Sequence, residues 1–203
     1  MIDLNNKTLL SIAEAHRDES KAFEAFTVLL DRLKRCRANN GVSLRGEKSP
    51  ALKDLIVLCR RCSRESSVIM FIDALHKNSL ITPKDMTYVI VHACTEKVSM
   101  HAFDLLEETS GSSIEYLRYL CRYTPIKRKK LRSSIQLHLI EHKDANENDF
   151  RYVAEHGDTK GLAIKAAALL LGQNASTKTS IERLYRASHH PFVKKMAKLY
   201  RKQ

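Results

Sequence analysis

The sequence predicts an all-α protein built from stacked antiparallel helix pairs, and three observations carry that expectation. Only 6 of the 203 residues are Gly and 4 are Pro, so little interrupts a helix. Apolar residues recur three and four positions apart along most of the chain, the spacing of one helical face. A two-helix pattern also recurs four times between Met86 and Gln203. Val89, Leu117, Phe150 and Ile181 each open a helix, at spacings of 28, 33 and 31 residues. A second helix follows each time, near Ser99, Ile126, Asp158 and Pro191. Pairs of this period cannot bury their apolar faces alone and stack into α-solenoid-like arrays.

Along the chain, residues 3–37 read as one or two helices with Leu9, Ile12, Ala13, Phe23, Phe26, Leu29, Leu30 and Leu33 facing inward. Residues 39–48 hold two glycines and a pair of Asn, all turn-formers, and read as a linker. Ser49 then caps a helix with Pro50 at its first position and Leu52, Leu55, Ile56 and Cys59 on one face. A helix over 66–77 comes next. The tetrad Thr82-Pro83-Lys84-Asp85 supplies a cap, a first-turn proline and an acid at the third position, a strong start signal. The expected organisation is an N-terminal helical hairpin over 1–38, a linker over 39–48 and a helical-repeat array over 49–203.

Charge narrows the kind of partner. The formal net charge is +12, with +4 carried by residues 1–100 and +8 by residues 101–203. Excess positive charge makes polyanions the first candidates. No acid stands between Glu115 and Glu141, and the 25 residues between them carry +7. Here Tyr116, Tyr119 and Tyr123 repeat on one helical face beside Arg118 and Arg122. Lys127, Arg128, Lys129, Lys130 and Arg132 follow. Cations release counterions from phosphates and tyrosine rings stack on unpaired bases. The last helix adds Lys194, Lys195, Lys198 and Arg201 opposite an apolar face of Val193, Met196, Ala197 and Tyr200. The blander readings are tyrosines packed on a neighbouring helix and a solvated helix start.

The segment Met86-Thr87-Tyr88-Val89-Ile90-Val91-His92-Ala93-Cys94, followed by Ala102-Phe103-Asp104-Leu105-Leu106-Glu107-Glu108, resembles a pentatricopeptide repeat over residues 82–110. The remaining pairs resemble HEAT-like helical hairpins. The pentatricopeptide resemblance implies RNA reading at one base per repeat, with Val89 at the base-reading position. Val89 is apolar where that family prefers a polar residue, which argues against coded reading in this unit.

Catalytic signals are sparse. His138-Leu139-Ile140-Glu141-His142 matches the H-x-x-E-H pattern, in which two histidines of one helix face hold zinc and the glutamate polarises a water. Cys59-Arg60-Arg61-Cys62 is an isolated C-x-x-C within a helical pattern and reads as buried thiols. Walker-type, G-x-S-x-G and G-x-G-x-x-G motifs are missing. The expectation is therefore a non-catalytic RNA-binding helical-repeat protein of a ribonucleoprotein, with no cofactor and no small-molecule substrate. The alternatives are an adaptor for an acidic or helical protein segment and, behind it, a zinc metallopeptidase. Five cysteines without a secretory signal point to reduced thiols in the cytoplasm, or else the mitochondrial matrix. Apolar runs are far too short for a transmembrane segment.

Overall fold

The computed structural model describes residues 4–15, 18–38, 52–61, 64–110, 113–172 and 178–200. All regular structure among them is α-helical: α1 (Asn6–Ala15), α2 (Glu19–Ala38), α3 (Leu52–Arg61), α4 (Glu65–Lys77), α5 (Pro83–His92) and α6 (Glu96–Ser110) lie in one compact unit, Met1–Gly111. α7 (Ile114–Tyr123), α8 (Lys129–Glu141), α9 (Glu147–His156), α10 (Lys160–Gly172), α11 (Lys178–Ala187) and α12 (Pro191–Tyr200) lie in a second, Ser112–Gln203. The expected linker at 39–48 lies outside the described residues. The helices on its two sides pack together, α1 on α3 and α2 on α4, so residues 1–38 belong to the same compact unit as α3–α6. Among the described residues no helix is long and apolar enough to cross a membrane.

The helix starts correct the register read from the sequence. The odd-numbered helices from α3 to α11 are each ten residues long and begin at 52, 83, 114, 147 and 178. Their even-numbered successors begin at 65, 96, 129, 160 and 191. The period is thus 31 to 33 residues and starts one pair earlier than Met86, with α3 and α4. Met86, not Val89, is the counterpart of Leu117, Phe150 and Ile181. The ambiguity is physical: Met86, Val89 and Ile90 are all buried on one stripe, and an anchor can slip by a turn along it. Val89, 1% exposed, is a core residue rather than a reading position.

Local chemistry sets the helix ends. Thr82 and Asp85 form a full capping box at α5, and Asn146 and Asp149 form the corresponding one at α9, each satisfying first-turn N–H groups. α4 closes differently. The N–H of Leu80 donates to Leu75 O at 2.9 Å and that of Ser79 to His76 O at 2.9 Å, with Ser79 left-handed at φ 51°. This is the ending that glycine ordinarily supplies.

In Met1–Gly111 the core is built on Phe26 and Phe71, rings 4.6 Å apart, with Leu9, Leu29, Ile72, Ile90 and Phe103. In Ser112–Gln203, α9 packs on α10 and α11, α8 on α7, α9 and α10, and α12 on α10 and α11. Leu117, Leu120, Ile135, Val153, Ala166, Leu170 and Leu184 fill its interior. Gly157 permits the close turn from α9 to α10: a Cβ there would lie 2.7 Å from Val153 O and 3.2 Å from Ala163 N.

Candidate functional site

The basic segments found in the sequence lie in Ser112–Gln203, where three turns come together. The turn from α9 to α10 is tied to α8: Arg132 Nε donates to Asp158 Oδ2 at 2.8 Å, and Asp158 N–H to Gln136 Oε1 at 3.0 Å. It is tied equally to the turn from α11 to α12. His190 Nε2 lies 2.9 Å from Gly157 O, the His156 and His189 rings are 6.0 Å apart, and Lys160 Nζ stands 5.2 Å from the Phe192 ring centre. The starts of α8, α10 and α12 therefore share one edge of this unit.

That edge is basic in an unusual way. Partial positive charge at a helix N-terminus favours acids, and α4, α5, α6, α7 and α9 obey with Glu65, Asp85, Glu96, Glu115 and Glu147 in their first turns. The first turns of α8, α10 and α12 hold no acid, which is also true of α1 and α11; what distinguishes the three is that their starts adjoin. Lys127, Lys129, Lys130, Lys160, Lys194 and Lys195 are exposed at or beside them. Interleaved with the lysines are exposed rings and aliphatic groups: Tyr123 at 57%, Ile126 at 75% and Phe192 at 47%.

The expected contact residues divide into two groups. Tyr119 and Tyr123 are exposed, with rings 4.6 Å apart, whereas Tyr116 is half-buried. Arg122, Lys127, Lys129, Lys130, Lys194, Lys195 and Lys198 are exposed, and Arg201 lies outside the described residues. Arg118, Arg128 and Arg132 have other positions. Arg118 donates from Nε and Nη2 to the two oxygens of Asp149 at 2.9 and 2.8 Å, and from Nη1 to Glu115 at 2.8 Å. The hydrogen bond to Asp149 pushes the guanidinium pKa further up. Arg132 belongs to Asp158, and Arg128 is buried. The charge run counted all three as surface cations; in the fold Arg118 and Arg132 hold neighbouring helices together.

Three of the five odd-numbered helices from α3 to α11 carry rings at their sixth and tenth positions: Tyr88 and His92 in α5, Tyr119 and Tyr123 in α7, and Tyr152 and His156 in α9, whereas α3 has Val57 and Arg61 there and α11 has Arg183 and Ala187. Each pair is in ring contact, at 4.4, 4.6 and 5.3 Å. Tyr152 also donates its hydroxyl to Cys121 O at 3.0 Å, and burial raises its pKa. Burial likewise pushes the Cys121 thiol up to about 12.

The H-x-x-E-H residues do not share the geometry that zinc hydrolysis requires. His142 is the C-cap of α8, with ψ 137°, so it has left the helix face that carries His138. Its Nδ1 accepts the Asp144 N–H at 3.1 Å, and Glu141 is paired with Lys165. Among the described residues no group of three or more His, Cys, Asp or Glu side chains is placed to hold a metal. Cys59 and Cys121 are buried and Cys94 is half-buried, while Cys62 lies outside the described residues. No family model, curated protein or solved structure matches the chain.

Proposed function

We propose that this chain is a non-catalytic helical-repeat protein that binds RNA, as part of a ribonucleoprotein, through the basic edge of Ser112–Gln203. The observation that carries this reading is the reversal of helix-end charge at α8, α10 and α12. Lysines at three adjoining helix starts repel the helix dipoles and one another, so the arrangement costs stability without an anion to face. Phosphates relieve that cost, and Tyr123, Phe192 and His156 offer surfaces on which unpaired bases can stack. With the pairs stacked α-solenoid-fashion, the edge would follow a strand's backbone rather than read a code, which fits the burial of Val89. Five cysteines, an odd number set mostly in apolar helical patterns, suit a reducing compartment, the cytoplasm or the mitochondrial matrix.

The test is binding of the purified full chain to single-stranded RNA across salt concentrations. If the six edge lysines each neutralise a phosphate, affinity falls roughly 300-fold between about 50 and 200 mM salt. Absence of salt-dependent binding to any RNA overturns the reading. A protein-interaction adaptor is the second reading, favoured by Leu199 and Tyr200, exposed at 60% and 44% on the last helix. Under it, reversing Lys127, Lys129 and Lys130 to Glu leaves a protein complex intact.

A further inference from the structure

A groove of about 610 Å3 runs between α7, α9 and α11, and Arg122, Asn148, Arg151, Tyr152, Glu155 and Arg183 are among the residues that line it. Its volume suits a nucleotide-sized ligand. Two carboxylates are buried in its wall, and they differ in one respect. Asp149 is fully engaged, accepting both Arg118 bonds and the Asn146 N–H at 3.0 Å. Glu155 is only 4% exposed, yet its Oε1 accepts no hydrogen bond. Arg183 stands off, with Nε at 3.4 Å from Oε1, and the His156 ring lies with Nε2 at 3.7 Å from Oε2. A buried carboxylate short of donors is costly.

We infer that this groove binds a guanine base, with the Glu155 carboxylate accepting its N1–H and N2–H. The inference rests on the RNA reading above for its biological source, but not for its chemistry. Guanine presents two parallel N–H donors at the spacing of a carboxylate's two oxygens. Adenine and cytosine each place a ring-nitrogen acceptor beside their single amino donor, and uracil flanks its one N–H with two carbonyls. All three would set a lone pair against Glu155. The rim supplies the rest of a nucleotide's needs: Arg122 is exposed and Arg151 half-buried, both available to a phosphate, and the Tyr152 and His156 rings lie alongside for stacking. Those arginines also repel the other ligand a carboxylate would take, an arginine-rich peptide. Arg183 is 61% exposed, so it can swing clear of Glu155 at little cost.

The experiment measures binding of GMP, AMP and guanosine to the full chain. Competition of GMP with guanine-containing and guanine-free single-stranded RNA then separates the free nucleotide from a base within a strand. GMP is expected to bind at least tenfold tighter than AMP. Glu155→Gln should bring the two within about twofold while leaving the melting temperature unchanged or higher, since a poorly partnered buried charge is removed. Should that variant fail to fold, Arg122→Ala serves instead, weakening GMP but not guanosine. Equal affinity for GMP and AMP in the native chain, or a guanine preference untouched by Glu155→Gln, overturns the inference. So does Glu155-dependent binding of an arginine-rich peptide in place of nucleotide. RNA binding that is salt-dependent but blind to base composition defeats the groove and leaves the basic edge standing. GMP binding without RNA binding does the reverse.

Discussion

Arg118 of α7 and Asp149 of α9 form a two-pronged pair, Nε to Oδ1 at 2.9 Å and Nη2 to Oδ2 at 2.8 Å, across 31 residues of sequence. Asp149 simultaneously closes the α9 capping box, so one carboxylate fixes a helix start and a helix–helix contact together. Removing the arginine strands a buried carboxylate. Arg118→Ala should lower unfolding free energy in urea by about 2 kcal/mol, a cost in the range of hydrogen bonds to charged groups. It should leave the salt dependence of RNA binding where it was.

The exposed lysines should behave in the opposite way. Each of Lys129→Ala and Lys160→Ala is expected to reduce the slope of log affinity against log salt by roughly 0.7, the single-strand value per phosphate contact, with stability changed by less than about 0.5 kcal/mol. Titrations at several salt concentrations, alongside melting curves, read both quantities.

Gly157→Ala should destabilise Ser112–Gln203 by about 1–3 kcal/mol, the usual range for overpacking. The new methyl would meet backbone at 2.7 Å, and the α9–α10 turn that carries the Gly157 carbonyl toward His190 must shift to admit it. Because that turn belongs to the basic edge, RNA affinity should fall along with the melting temperature.

Alkaline pH supplies an independent check on burial at Cys121. A thiol whose pKa is raised in the fold favours the folded state while it stays protonated. That stability is complete below the ordinary value of 9.0 and is lost as pH climbs toward about 12. One such group steepens the loss by up to about 1.4 kcal/mol per pH unit. Cys121→Ala should flatten the decline between pH 9 and 11 in denaturant titrations, and Tyr152→Phe, whose hydroxyl pKa is raised in the same direction, should do likewise.

How much of this was legible in sequence differs between fold and site. Helical class and the α5 start were plain, because Thr82, Pro83 and Asp85 act locally and the apolar stripe is continuous. Register was less secure, since Met86 and Val89 lie a turn apart on one buried face. Exposure of Lys127, Lys129 and Lys130 followed from their density. The commitment of Arg118 and Arg132 to Asp149 and Asp158 could not, because those acids lie 31 and 26 residues away and only tertiary packing brings them near. Lys160 and Phe192 are isolated in sequence and become part of one surface only when the turns meet. The paired rings of α5, α7 and α9 were within reach, had the segments been aligned by helix start.

The lateral hydrogen bonds of Ser112–Gln203 join partners close in sequence: Arg132 to Asp158 across 26 residues, Tyr152 to Cys121 across 31 and Ser188 to Ala154 across 34. Loops of that size close at modest entropic cost, so this half should fold quickly. α12 packs on α10 and α11 but buries only Val193 and Ala197 and leaves Leu199 and Tyr200 exposed. Its amides should therefore exchange with solvent ahead of those in α8 and α9. Lys194 and Lys195 ride on that helix, so a bound polyanion would slow the exchange of α12 first.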